Sequence, residues 1–134
     1  MEEYRIQDTG VSRLPSKSFR DLIVWRKAHE FVLEIYKVTK DFPKEEIYGL
    51  TSQLRRAAIS VAANISEGYK KYGLRDKIRF FNTAEGSLEE CKYYLILSQD
   101  LSYIETSDKL NSQSEEISKL LFAYIKTIRK TIPD

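Results

Sequence analysis

The sequence predicts an all-α fold, an antiparallel up-down-up-down bundle of four helices. Apolar residues recur every three or four positions in four separate segments, which is the spacing of one helix face. No segment shows the alternation of apolar and polar residues that indicates a strand. The chain of 134 residues holds only five glycines and three prolines, so long helices with short connections suit it better than many turns.

The N-terminal residues 1–17 stand apart from the four periodic segments. They show no helical period and contain Gly10 and Pro15, so we expect them to form a mobile or extended arm. Residues 18–134 are then expected to form the bundle as one domain.

The first two helices have recognisable ends. Ser18 is a good N-cap residue and Asp21 can complete a capping box, which predicts a first helix over residues 19–40. The second helix is predicted to begin within residues 44–51 and to end at Gly68, a suitable residue just past a helix terminus.

The third helix is predicted over residues 75–100 and the fourth over residues 107–131. The second and third helices would form a hairpin in which Ala57 and Ala58 face Gly86. Glycine inside a helix costs about 1 kcal/mol relative to alanine. We therefore expect Gly86 to be present because it lets the two backbones approach closely.

Composition excludes several classes of function. One histidine, His29, and one cysteine, Cys91, cannot build a zinc site within one chain. There is no glycine-rich phosphate loop, no apolar run long enough to span a bilayer and no apolar secretory signal near the N-terminus. A single cysteine fits a reducing cytoplasm. The sequence thus predicts a cytoplasmic protein that is not an enzyme, with no cofactor, metal or small-molecule substrate and no membrane partner.

Positive charge is concentrated in the middle of the chain. Residues 55–79 carry seven basic and two acidic residues, a net charge of +5, whereas the whole chain has a net charge of +2. Cations interleaved with aromatic rings suit phosphate contacts and base stacking. The alternative is a solvated turn whose lysines keep an exposed loop in water. The candidate phosphate-binding residues are Arg55, Arg56, Lys70, Lys71, Arg75, Lys77 and Arg79, and the candidate stacking residues are Tyr69 and Tyr72.

A polar stripe runs along the second predicted helix. Arg56, Ser60, Asn64 and Glu67 follow one another at helical spacing. In the predicted hairpin of the second and third helices, Glu90 falls opposite Arg56. Because buried polar groups must be hydrogen-bonded, we favour an inter-helix or inter-subunit network over a binding site. Catalysis by the stripe is disfavoured because the sequence offers no evident pair of nucleophile and base.

Several motifs give the sequence a family resemblance across residues 18–128. The motifs are Phe19-x-x-Leu22-x-x-Trp25-x-x-Ala28, Phe42-Pro43, Tyr48-Gly49-Leu50-x-x-Gln53-x-x-Arg56-Ala57-Ala58-x-Ser60, Asn64-Ile65-x-Glu67-Gly68 and Gly86-Ser87-Leu88-x-Glu90. They resemble the bacterial four-helix-bundle family named for proteins encoded in intervening sequences of 23S rRNA genes. Ala62 and Ala63 depart from the pattern, since relatives often carry proline there.

The resemblance implies a homo-oligomer, a pentameric ring of all-α bundles. It also implies a fold similar to the accessory protein of diversity-generating retroelements, a basic pentameric barrel that binds nucleic acid and its reverse transcriptase. We therefore expect a non-enzymatic ring that binds nucleic acid, RNA in preference to DNA, through repeated basic surfaces. The alternative is a protein-interaction scaffold or accessory factor without nucleic-acid affinity, which would present aromatic and apolar helix faces to a protein partner.

Overall fold

The computed structural model describes residues 16–133. These residues form four helices, and no strand occurs among them, so the all-α prediction is confirmed. Most of the predicted N-terminal arm, residues 1–15, lies outside the described residues. The helices are α1 (Ile23–Thr39), α2 (Leu50–Lys70), α3 (Leu74–Asp100) and α4 (Asp108–Lys130), with short 3-10 turns at Phe19–Asp21 and Lys44–Glu46.

The predicted capping box forms, but it caps a 3-10 turn rather than α1. The hydroxyl of Ser18 accepts the backbone N–H of Arg20, and the Asp21 carboxylate accepts those of Lys17 and Ser18 at 2.8 and 3.3 Å. Leu22 then adopts an extended backbone with ψ of 128°. Its side chain is fully buried, so the break in the helix carries Leu22 into the core, and α1 begins at Ile23 instead of residue 19.

Each helix packs against two neighbours. The main contacts join α1 to α2, α2 to α3, α3 to α4 and α4 to α1. Three connecting ion pairs lie on the surface: Lys27 with Glu116, Lys109 with Glu34, and Lys92 with Glu115. The fully buried core residues come from every helix and include Phe31, Ile35, Leu54, Val61, Ile65, Phe81, Leu95, Ile117 and Leu121. Burial of apolar side chains of this size contributes about 1.5–3 kcal/mol each and dominates the stability of such a bundle.

Gly68 is the glycine that allows close helix packing, and the expectation for Gly86 is wrong. A Cβ atom at Gly68 would lie 2.7 Å from Cε1 of Phe81, so the α2 backbone touches the ring. Gly68 is buried inside α2, which continues to Lys70 instead of ending at Gly68. Gly86 is exposed, and a Cβ atom there would meet nothing within 4 Å.

The connections at the other end of α2 are fixed by one carboxylate. Glu46 accepts the N–H of Leu50 at 3.0 Å, which caps the start of α2, and the hydroxyl of Tyr103 at 2.7 Å. Tyr103 also packs its ring against Phe42, with centroids 5.4 Å apart. This joins the α1–α2 connection to the α3–α4 connection. Within residues 16–133, no helix has the length and apolar character needed to cross a bilayer.

Candidate nucleic-acid interface

The hairpin tip, defined here as residues 69–80, joins α2 to α3 through the short turn 71–73. Tyr72 projects from this turn with 93% of its surface exposed. Lys70, Arg75 and Arg79 are exposed around it and Lys71 is half-buried. The structure therefore brings together four of the predicted phosphate-binding residues and one of the predicted stacking residues.

Phe80 organises two of the tip cations. The ammonium nitrogen of Lys71 lies 4.8 Å from the centroid of the Phe80 ring, and the guanidinium carbon of Arg79 lies 5.4 Å from it. Cations within about 6 Å of a ring face are attracted by its quadrupole. Two long side chains that would otherwise sample many rotamers are thus held near the ring.

Asp76 is the acidic residue of the tip, and it pairs with Arg79. The hydrogen bond from Arg79 holds the pKa of the Asp76 carboxyl below its ordinary value. The other exposed cations, Lys70 and Arg75, form no ion pair with a carboxylate among residues 16–133. The tip keeps a net positive charge after this pairing.

Lys77 is not an accessible phosphate-binding residue, and its prediction is wrong. Only 1% of its surface is exposed. Its ammonium group donates to the carbonyl oxygens of Gly68 at 2.9 Å and Tyr69 at 2.7 Å. The last carbonyls of a helix lack intrahelical partners and carry partial negative charge. Lys77 therefore closes the C-terminal end of α2 from the first turns of α3.

Tyr69 is not a free stacking surface in the described part of the chain. The side chain is half-buried against the core, and its hydroxyl lies 3.0 Å from the hydroxyl of Ser16. Its ring centroid is 5.6 Å from the ammonium nitrogen of Lys77. Both contacts hold the ring in place, which leaves Tyr72 as the exposed aromatic residue of the turn.

Arg55 and Arg56 lie away from the hairpin tip. They precede Lys70 by about 21 Å along α2, from the rise of an α-helix. Arg55 donates from Nε to the hydroxyl of Thr39 at 2.8 Å, and its guanidinium carbon lies 4.4 Å from the Tyr36 ring centroid. Arg56 is exposed. The predicted binding residues therefore do not form one surface.

The polar network between α2 and α3 is smaller than the predicted stripe. The hydroxyls of Ser60 and Ser87 lie 2.8 Å apart, and the Asn64 amide donates to the Ser60 carbonyl and hydroxyl at 2.8 and 3.0 Å. The other three predicted members are outside it. Arg56 and Glu67 are exposed and form no ion pair among the described residues, and Glu90 instead accepts the hydroxyl of Tyr94 at 3.2 Å.

Comparisons with known proteins show which family this chain belongs to and which solved structure has a similar fold. A family profile described as 23S rRNA-intervening sequence protein matches residues 20–123. The chain belongs to this family. The fold is also similar to the crystal structure of a protein of unknown function from the S23 ribosomal protein family of Bacteroides thetaiotaomicron VPI-5482. That likeness has a TM-score of 0.70 and 31% sequence identity, over 78% of this chain and 99% of the other. A comparison with curated proteins finds no match.

A second group of cations lies near the hairpin tip, at the end of α4, and the sequence analysis did not predict it. Arg129 and Lys130 close α4, beyond the residues that the family profile matches. Arg75 Nη2 donates to the Pro133 carbonyl at 3.4 Å, which brings the end of the chain beside the tip. The adjacent pair Arg129–Lys130 was a visible signal, but it stands about fifty residues from the basic segment along the chain.

The described residues also bear on metal and nucleophile chemistry in this family member. Residues 16–133 contain no group of three or more histidine, cysteine, aspartate or glutamate side chains that could hold a metal ion. Cys91 is buried in the core, and burial raises the pKa of its thiol to about 12. The thiol therefore stays protonated at neutral pH and is a poor nucleophile.

Proposed function

We propose that this chain is a non-enzymatic, homo-oligomeric protein of the cytoplasm that binds nucleic acid, RNA in preference to DNA, through the hairpin tip. The observation that carries the proposal is the placement of Tyr72, 93% exposed, among Lys70, Lys71, Arg75 and Arg79. An exposed aromatic ring amid cations offers base stacking and phosphate neutralisation in the same place.

The energetic argument favours a single-stranded or looped target. Double-stranded RNA hides its base faces, whereas loops and ends present unstacked bases to aromatic side chains. Stacking of one base on an aromatic residue contributes about 1–3 kcal/mol. Tyr72 has the exposed ring for such a contact, and Lys71 and Arg79, in the same hairpin tip, are held over the Phe80 ring.

Self-association is part of the proposal, with the pentameric ring as the expected assembly. The contact pairs between helices support an antiparallel up-down-up-down bundle as its unit. On the outer face of α3, Tyr93 and Ile96 are 57% and 58% exposed, and Gly86 leaves the backbone uncovered. Exposed apolar surface of this kind marks a protein interface. A ring would also repeat the tip and sum its electrostatic field.

The test is to reverse the charge of Lys70, Lys71 and Arg79 to glutamate in the full chain. Binding of a fluorescent single-stranded RNA is measured by anisotropy at several salt concentrations. Each lost phosphate contact lowers the slope of log K against log salt by about 0.7 for single strands, so we expect a slope smaller by about 2.

The matched control reverses Lys37, Lys40 and Lys44, three exposed lysines at or just beyond the C-terminal end of α1. It makes the same change in net charge. We expect this variant to keep most of the affinity and slope. Equal losses in the two variants would show that the tip is not the site, and unchanged binding in the tip variant would exclude it directly.

A second candidate function is a protein-interaction scaffold without nucleic-acid affinity. The exposed Tyr93 and Ile96 favour it, because an apolar helix face suits a protein partner better than a phosphate backbone. A complex with a protein partner that survives high salt and is lost in Tyr93→Ala would support the scaffold. Binding to phosphates would weaken steeply as salt rises.

A further inference from the structure

Two adjoining cavities lie in the outer groove between α3 and α4, beside the hairpin tip. The first has a volume of about 330 Å³ and is lined by Arg75, Ile78, Arg129, Ile132 and Pro133. The second, of about 460 Å³, is lined by Asn82, Glu85, Phe122, Ile125, Lys126, Arg129 and Lys130. Arg129 lines both, so the two cavities adjoin at this side chain, and together they are called the α3–α4 cleft here.

The cleft has a regular helical basis. Its α3 side consists of residues 75, 78, 82 and 85, which follow one another at the three- and four-residue spacing of one helix face. Its α4 side consists of residues 122, 125, 126, 129 and 130, which share one helix face. The lining residues therefore stand on rigid elements, which hold them better than a loop would.

The charge of the cleft is strongly positive. Arg75, Lys126, Arg129 and Lys130 line it, against one carboxylate, that of Glu85. None of the four cations forms an ion pair within residues 16–133. Glu85 attracts Arg129 electrostatically, but one carboxylate against four cations leaves the lining with a net charge of +3. An excess of cations in a concave site attracts an anionic ligand. Arg75 and Arg129, which share the first cavity, offer planar forks suited to a phosphate group.

Phe122 gives the cleft an aromatic surface. The side chain is 63% exposed on α4 and lines the second cavity with Ile125 and Lys126. A large exposed ring beside an excess of cations is the combination found in single-strand binding grooves. The first cavity thus offers two guanidinium groups for a phosphate, and the second offers the Phe122 ring for a base.

We propose that the α3–α4 cleft binds single-stranded nucleic acid, with a phosphate held between Arg75 and Arg129 and a base stacked on Phe122. This deepens the proposed function, on which it rests, by extending the interface from the tip onto residues of α4. An acidic peptide with aromatic residues is the competing occupant, and it becomes an outcome of the test.

The experiment measures binding of full-length Phe122→Ala, Phe122→Trp and Arg129→Gln to fluorescent oligouridylate and to a duplex RNA of equal length. Phe122→Ala is expected to weaken oligouridylate binding on the order of tenfold with an unchanged salt slope, and Phe122→Trp to restore it. Arg129→Gln is expected to lower the slope by about 0.7. Tyr48→Ala, which removes an exposed aromatic residue before the start of α2, at the opposite end of α2 from the tip, is the matched control and should bind normally.

Three outcomes would contradict the proposed binding of single-stranded nucleic acid in the cleft. Wild-type affinity in both Phe122→Ala and Arg129→Gln, with binding lost in the tip variant, would reject the cleft while the proposed function stands. Equal loss of duplex and single-strand binding in Phe122→Ala would reject base stacking. In the third outcome, the unmodified protein binds an acidic, tyrosine-containing peptide but does not bind oligouridylate. That result would assign the cleft to a protein partner and reject both proposals.

Discussion

The ammonium nitrogen of Lys77 lies 2.9 Å from the carbonyl oxygen of Gly68 and 2.7 Å from that of Tyr69. A residue of α3 thus closes the end of α2, across the hairpin that joins them. The same side chain is 1% exposed, so its charge is compensated inside the protein rather than in water. This contact fixes the base of the hairpin tip.

Replacement of Lys77 by methionine should destabilise the fold without removing an RNA contact. The carbonyls of Gly68 and Tyr69 would lose a charged donor, and hydrogen bonds to charged groups contribute about 1.5–3 kcal/mol. We expect a loss of this size in the free energy of unfolding, measured by urea denaturation. RNA affinity measured well below the melting temperature should stay close to that of the wild type. An unchanged unfolding midpoint would contradict the role of Lys77.

Alanine at the two helical glycines should have opposite effects. At Gly68 the new methyl group would lie 2.7 Å from a buried ring carbon of Phe81, and overpacking of this kind costs about 1–3 kcal/mol. At Gly86 the methyl group meets nothing within 4 Å in a single chain, so the gain in helix propensity is about 1 kcal/mol. Thermal melts of Gly68→Ala and Gly86→Ala measure both signs. Similar melts for the two variants would contradict the packing described at Gly68.

Glu46 should contribute to the loss of stability in acid. The backbone N–H of Leu50, and then the hydroxyl of Tyr103, hold the pKa of the Glu46 carboxyl below its ordinary value of 4.5. A carboxyl whose pKa is lower in the folded state stabilises the fold above pH 4.5, and this contribution is lost as the pH falls through the folded pKa. In Glu46→Gln the decline of melting temperature below pH 4.5 should be shallower. A decline parallel to that of the wild type would contradict this contribution.

Arg55 should act on stability rather than on RNA affinity. Its guanidinium donates to Thr39 and stacks on Tyr36, about 20 Å from the tip along α2. Arg55→Met would keep part of the packing and remove a hydrogen bond from a charged group, and such bonds contribute about 1.5–3 kcal/mol. Equilibrium unfolding should detect this loss, while the salt slope of RNA binding stays unchanged. A smaller salt slope of RNA binding in Arg55→Met would contradict this account and show that Arg55 contacts RNA.

The four helices could be predicted because their core positions repeat at helical spacing. Phe81, Leu88 and Leu95 follow this period in α3, and all three are buried. The contact between Ser60 and Asn64 could also be predicted from the sequence, because both residues lie on one face of α2. Local periodicity carries this information without knowledge of the neighbouring helix.

The rest of the site depends on contacts between helices. Lys77 precedes Phe81 by four residues, so it stands on the buried face of α3, yet its charge argued for the surface. Its partner carbonyls on α2 become visible only once the hairpin is built. Gly68 and Gly86 cannot be distinguished by sequence either, because the difference is the presence of the Phe81 ring beside one of them. Arg129 of α4 comes to one cavity with Arg75 of the tip only through the tertiary fold.

Size-exclusion chromatography with light scattering, monitored at 260 and 280 nm in low and then high salt, tests the central claim most directly. The full chain is purified without nuclease treatment. We expect an assembly of several 15.7-kDa chains that carries material absorbing at 260 nm in low salt and releases it in high salt. A monomer, or an assembly with protein-only absorbance at both salt concentrations, would contradict the account.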